Sequence, residues 1–448
     1  MADTRTMIDS ARDWDNADAI GQAMHDFARS LWPLPRSISG EGLRATLGAI
    51  KARLPGMELI EVASGSQVLD WIVPEEWRIN AAWIQAPDGR RIVDFAHNNL
   101  HLVGYSTAVD AVLPLAQLQP HLHSLPEQPD AIPYVTSYYQ RRWGFSLSHH
   151  QRQALVEGDY RVRIDATHFP GSITLGELLI PGESSDEVLL SSYCCHPSMA
   201  NNELSGPVLL AWLAQWLAAL PRRRYSYRIV LVPEMIGSIA YLALNRGVMR
   251  ERTVAGFNLS CVGDERAWSY LPSRNGHTLA DRVARHVLGQ LAPGYQRYTW
   301  RDRGSDESNY CAPGIDLPVA SVMRSKYGAY PEYHTSLDTL DSVVTARGLG
   351  QSFALYRRMI EALEQHCYPV AQVLGEPQLG RRGLYPNLSV KGSTAPVRSM
   401  LDLISMADGR TALVDIAEAC GVPVWDLVPM LDRLCDAGVL AREGELPA

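Results

Sequence analysis

The chain carries no apolar run long enough to cross a membrane. Its opening stretch, Met1 to Ala17, is polar and charged and lacks the apolar core of a signal peptide. Cysteine is scarce: seven residues, an odd number, lie scattered at 194, 195, 261, 311, 367, 420 and 435. A disulfide framework is denser and even in count. The adjacent Cys194 and Cys195 end an apolar stretch and read as reduced core thiols. These absences point to a cytoplasmic protein with no membrane partner. A basic excess is missing too: 41 Lys and Arg stand against 49 Asp and Glu, a net charge of -8. That balance speaks against a nucleic-acid partner. There is no G-x-G-x-x-G or G-x-x-x-x-G-K phosphate loop, no G-x-S-x-G elbow and no H-E-x-x-H helix. Nucleotide enzymes and serine hydrolases are thereby disfavoured. No internal repeat or low-complexity tract is present either.

What is there is ordinary globular material, 46% hydrophobic and 20% charged, and 448 residues allow more than one domain. Residues 1–54 hold two helical patterns separated by a loop, Pro33 to Gly42, with Pro33, Pro35 and Gly40 as breakers. Residues 55–165 read as a β-rich inserted domain. Its expected strands are Leu59 to Val62, Val68 to Ile72, Trp77 to Gln85, Arg91 to Ala96, Leu100 to Tyr105 and Tyr160 to Ile164, with Asp88-Gly89 as a hairpin turn. From 166 to 390 strands alternate with helices, which predicts an α/β domain with a mostly parallel sheet flanked by helices. Residues 391–448 read as three short helices and a strand, a winged-helix unit. Its third helix carries Asp426, Asp432 and Asp436 against Arg433. A helix that meets phosphate is basic, so a packing or protein-contact role is expected.

Ligands of parallel sheets bind outside the carboxyl ends of the strands. His196, Glu234 and Asp264 each fall just past a predicted strand. They lie in three unusual stretches: Cys195-His196-Pro197-Ser198 running on to Asn202-Glu203-Leu204-Ser205-Gly206, Pro233-Glu234, and Cys261-Val262-Gly263-Asp264. Gly304-Ser305-Asp306-Glu307 and Tyr333-His334-Thr335-Ser336-Leu337-Asp338 follow. Histidine nitrogen and carboxylate oxygen are zinc ligands, yet the spacing is no compact signature. A lone loop histidine is more often a hydrogen-bonded surface residue.

The ordered set resembles the zinc aminopeptidases of the bacterial leucyl-aminopeptidase and glutaminyl-cyclase type. It is closer still to bacterial aminopeptidase-like proteins that add an inserted β domain and a C-terminal winged helix. Leu69-Asp70-Trp71 and Pro74-Glu75-Glu76-Trp77 also match that group, so the resemblance runs from about Asp18 to Leu440. It implies a zinc exopeptidase-like fold and metal-dependent hydrolysis of an amide or peptide bond in a small substrate. His196, Asn202, Glu234, Asp264 and His334 would surround the metal, with Glu234 as ligand or general base. Asp264 is the candidate for the family's further carboxylate, although Ser260 lies nearer by strand register.

Asn202 stands where the family places an aspartate that bridges two zinc ions. An amide supplies no negative charge, so the resemblance implies one zinc, or two held weakly. Glu203 is adjacent, but one residue along a helix its side chain should point elsewhere. A catalytically degenerate descendant acting as a binding module is the alternative. Arg274, Arg303 and Arg324 are candidate carboxylate clamps or plain structural ion pairs. One of Tyr327, Tyr330 and Tyr333 is a candidate oxyanion donor. Trp71 and Trp77 are either lid wall or core. Oligomeric state stays open: the C-terminal apolar set, including Leu413, Ile416, Leu431 and Leu434, either fills its own core or docks on a second copy.

Overall fold

The computed structural model describes residues 15–384 and 394–446. Residues 1–14, and the boundary expected at 390/391, lie outside that range. The chain divides into two compact units. One runs up to Gly276 and resumes over Gln296–Ala354; the other holds His277–Tyr295 and the chain from Leu355 on.

In the first unit, helices α1 (Ala17–Leu31) and α2 (Glu41–Arg53) open the chain. Strand β1 (Glu58–Ala63) follows, then β2 (Glu76–Gln85), β3 (Arg91–Asp94), β4 (Val109–Pro114) and β5 (Asp159–Phe169). Next come β6 (Ser172–Ile180), β7 (Glu187–Tyr193), helix α3 (Ser205–Ala219), β8 (Ser226–Val232), helix α4 (Ile236–Arg252) and β9 (Thr253–Asn258). The unit is completed by β10 (Ser269–Leu271), β11 (Gln296–Arg297) and β12 (Val319–Met323).

Eight strands form one sheet in the order β1-β6-β8-β7-β9-β12-β10-β11. Its centre, β8-β7-β9-β12, is parallel, while the β1–β6 and β6–β8 pairs are antiparallel. Every residue of β7 and β8 is buried. Strands covered on both faces read as continuous apolar runs, which is how they stand out in the sequence. Helix α3 is apolar on almost every side, from Val208 and Leu209 round to Trp212 and Leu217, and is buried accordingly.

The inserted module is a four-stranded antiparallel sheet, β3-β2-β5-β4. It spans 76–169, so β1 belongs to the main sheet and a boundary at 165 falls inside β5. Two strand expectations fail here. Val68 to Ile72 is a hairpin of two-residue arms, because Leu69 turns the chain at φ 52°. Leu100 to Tyr105 begins in a 3-10 turn, Asn99–His101, and makes only isolated bridges. Its apolar side chains are buried all the same, and that burial produces a strand-like pattern.

The second unit holds α5 (Leu279–Leu291) with α7 (Thr394–Met406), α8 (Leu413–Cys420) and α9 (Val424–Asp436). Helix α6 (Ala346–Glu364) spans the division at Ala354. The sequence reading gives α5 to the central domain, whereas the structure groups it with the C-terminal helices. Val370–Ala371 pairs with Leu440–Ala441, closing the wing. Leu413, Ile416, Leu431 and Leu434 are buried within this unit. Among the described residues no helix is long and apolar enough to cross a membrane.

Candidate active site

Strand β7 delivers the site. Its last residue, Tyr193, is followed by Cys194, Cys195 and His196, all buried. The chain then makes one π-helical turn, Ala200–Leu204, before α3. Such turns shift the side-chain register and gather at functional sites. The shift matters, because it aims Glu203 inward. Glu203 Oε2 lies 2.9 Å from His196 Nδ1, so the expectation that Glu203 points elsewhere is corrected.

His196 is held on every side. Nδ1 meets Glu203 and, at 3.3 Å, the Cys195 thiol. Nε2 faces Glu234 Oε2 at 3.5 Å. The His334 ring centroid is 5.3 Å away, so the two histidine rings lie side by side. Tyr134, from the inserted module, packs against both rings at 4.9 and 5.2 Å. Tyr333 stacks on His334 at 3.9 Å. Four non-glycine residues here have positive φ: Ser198 (47°), Met235 (64°), Cys261 (52°) and His334 (57°). Each such position costs about 1–3 kcal/mol and persists only where packing over-determines it.

The electrostatics are one-sided. Burial holds His196 and His334 neutral, each lowered to about 3. Burial also pushes Glu203 up to about 8 against the pull of Arg36, and Asp306 up to about 7. Glu234 is raised well above its usual value by burial and by the charge of Asp306. Arg36 is a buried cation 3.5 Å from Glu203. It also donates to the His196 carbonyl at 3.0 Å. Buried acids with so little cationic compensation favour a bound cation or a proton.

Several buried polar atoms lack a hydrogen-bond partner: His334 Nε2, Asn202 Oδ1 and Asp306 Oδ2 among them. Asn202 is anchored by its other end, Nδ2 donating to the Tyr193 hydroxyl at 2.8 Å. Its backbone N–H donates to Asp338, which also receives Asn201 N–H and the Tyr330 hydroxyl. Cys195, His196 and Glu203 form one group able to hold a metal ion, their donor atoms within 4.8 Å of one another. That group lies on the Nδ1 edge of His196. Burial pushes the Cys195 thiol far up, and a neutral thiol is a poor ligand. The Nε2 edge faces Glu234, with the His334 ring packed beside that of His196; among the described residues these three do not form a further group of donor atoms as tight as the Cys195 one.

Asp264 does not join the cluster as expected. Its two oxygens accept from Asn201 Nδ2, Ser325 N–H, Ser325 Oγ and Arg266 N–H. Both oxygens are therefore occupied as a loop latch. Ser260 is buried as well. The proposed arginine clamps are also engaged elsewhere. Arg274 pairs with Asp316, Arg303 covers Trp300, and Arg324 is buried over Trp268. Trp77 is core, its Nε1 donating to the Ser106 carbonyl at 3.0 Å, while Trp71 is exposed. Sequence reasoning passed over Arg36 and Tyr134. Arg36 sits among breakers in the loop after α1, a hint that the loop has a fixed shape. Tyr134 gave no signal beyond following Pro133.

A family described as a domain of unknown function, DUF4910, matches residues 25–366. A winged helix-turn-helix family matches residues 366–442. The chain is 39% identical over 410 residues to a Clostridium acetobutylicum protein named for polysaccharide biosynthesis with an aminopeptidase-like domain, covering 91% of this chain and 93% of that one. It is similar to a crystal structure of a Clostridium acetobutylicum protein named as a peptidase, at 36% identity and TM-score 0.89 over 96% of this chain and 98% of that one. A Bacillus subtilis zinc aminopeptidase shares the fold alone, at 12% identity and TM-score 0.56 over 77% of this chain and 94% of that one. The chain belongs to the DUF4910 family, on an aminopeptidase-like α/β fold that ends in a winged helix-turn-helix domain.

Proposed function

We propose that the chain is an aminopeptidase-like hydrolase of a peptide or small amide, with one zinc ion held by His196, Glu234 and His334 and with Asn202 Oδ1 beside them. The observation that carries this reading is the pair of buried atoms without partners, His334 Nε2 and Asn202 Oδ1. The His334 ring packs beside that of His196, whose Nε2 stands 3.5 Å from Glu234, and Asn202 hangs from Tyr193, which packs on His196 as well. Neutral imidazoles and a carboxylate fit zinc, which when bound polarises a carbonyl and acidifies water.

The chain's own residues divide the remaining work. Glu203 fixes the His196 ring from the Nδ1 side, as partners of metal-binding histidines do. Pro233 precedes Glu234, so one carboxylate there cannot fill both the ligand and the base duty. Asp306, with one oxygen free and a pKa near 7, takes up the proton duty. Tyr333 stays protonated, raised by burial and by Glu234, and supplies a donor for a developing oxyanion. Tyr327 and Tyr330 are committed instead to Glu307 and Asp338. The name of the Clostridium acetobutylicum relative directs the substrate search toward amides of sugar precursors as well as peptides.

A second reading rests on Asn202 itself. A site without its bridging carboxylate suits a descendant that binds without turnover. Elemental analysis of protein purified without chelator, run beside hydrolysis of a panel of aminoacyl p-nitroanilides, separates the two. Bound zinc with turnover supports the hydrolase. Metal-free protein without turnover supports the binding module.

A further inference from the structure

The inserted module carries a second cleft, apart from the histidine cluster. It is a cavity of about 180 Å³ walled by Glu75, Tyr139, Gln140, Arg141 and His168. A cavity of about 150 Å³ accepts a benzene-sized ring, so a single six-membered ring fits. Beside it stands an open aromatic corner. Trp71 is 38% exposed and Tyr139 55% exposed, with ring centroids 5.6 Å apart at 68°. Leu69 and Ile72 of the same hairpin are exposed as well. Large side chains left open together mark a binding surface.

The walls decide the chemistry of the occupant. Arg141 is already paired with Glu75, which leaves a neutral couple and disfavours phosphate or carboxylate. Burial and the nearby Arg141 both disfavour charge on His168, and one ring nitrogen is engaged by the Tyr105 backbone, so a neutral His168 has its other ring nitrogen for a ligand. Gln140 offers donors and an acceptor from one planar amide. A purely apolar ligand would strand these groups. A neutral polyhydroxylated ring satisfies both kinds of wall, with a C–H face for the aromatics and hydroxyls that donate and accept.

We infer that this cleft binds the neutral pyranose ring of a sugar, stacked on Trp71 and Tyr139 with its hydroxyls toward Gln140, His168 and Glu75. Tyr138 also lines the cleft. Its hydroxyl meets that of Tyr134 at 2.6 Å, and Tyr134 packs on both site histidines. A sugar seated here is thus two phenols away from the proposed active site.

The binding needs no metal and no turnover, so it is tested on the whole metal-free chain. Glucose and N-acetylglucosamine are titrated and followed by saturation-transfer difference NMR. The expected result is saturable binding of at least one, weakened tenfold or more in Trp71→Ala and in Gln140→Ala and retained in His334→Ala. Both cleft substitutions are at exposed positions, and an unchanged circular-dichroism melting curve excludes misfolding. No saturable binding of either sugar overturns the inference. So does binding that survives both cleft substitutions, or displacement by equimolar inorganic phosphate.

Discussion

Asn202 shows how much one atom decides. Its amide reaches the Tyr193 hydroxyl through Nδ2 and leaves Oδ1 buried without a partner. Replacement by aspartate adds a second anionic oxygen of the same size, and a carboxylate bridges two cations where an amide does not. Asn202→Asp is expected to raise zinc per chain, read by inductively coupled plasma mass spectrometry after identical purification. Equal occupancy in both proteins would show that the amide is no weak point. His196 and Glu234 stood out in the sequence because each follows a buried strand, whereas His334 lies in a loop and stood out only by the Tyr333-His334-Thr335 stretch around it. Asp264 follows one as well, yet Ser325 and Asn201 consume its oxygens. Linear order gives no sign of which carboxylates are already spent. The inward turn of Glu203 was hidden for a related reason: it depends on a π-helical turn that no local pattern marks.

Elements meet in this fold at distances that leave little slack. A Cβ on Gly206 would lie 2.4 Å from the Leu259 carbonyl oxygen and 2.4 Å from Ser192 Oγ. Gly206→Ala therefore forces α3 away from the strand ends that carry the site. A loss of about 1–3 kcal/mol is expected, as for other overpacked contacts, seen as a lower urea midpoint. The inserted module has a different weakness. Burial lowers the pKa of His101, and also of His123 and His168. Below about pH 6.5, the ordinary histidine value, the unfolded chain takes up protons that the folded module refuses. Stability is then complete above pH 6.5 and declines as pH falls toward the depressed folded-state values. The slope is at most about 1.4 kcal/mol per pH unit for one histidine. His101→Gln should flatten the acid limb of a urea-midpoint profile, and an unchanged limb would count against it. The strands Trp77 to Gln85 and Tyr160 to Ile164 of this module were readable in advance. The Leu100 to Tyr105 segment was not, since burial without a partner strand imitates the same pattern.

At the scale of the whole molecule, the succession of helices, β module, α/β domain and winged helix was readable from changes in periodicity. The place of α5 was not. It is continuous in sequence with the α/β domain, and only tertiary contacts such as Val424 N–H to His286 Nε2 at 2.9 Å group it with the C-terminal helices. In that second unit, α9 bears three aspartates, and its Asp432 already pairs with Arg442. No tight duplex DNA binding by the full chain is expected at low salt, because counterion release needs exposed cations. A low-salt gel shift with nanomolar retardation would refute this.

The inserted module is sewn to the loop that carries His334. Tyr134 N–H donates to the His334 carbonyl at 2.9 Å, Ser336 N–H to the Ile132 carbonyl at 2.9 Å, and Pro133 bridges Thr335. The seam gives the protein an internal reporter. Amide protons locked in cross-domain pairs exchange with solvent only when the pairs open. If the module and the α/β domain open as one body, the Tyr134 and Ser336 amides will exchange as slowly as those of β7. If the module lifts by itself, those two amides will exchange first, and His334 will lose its backing each time it does.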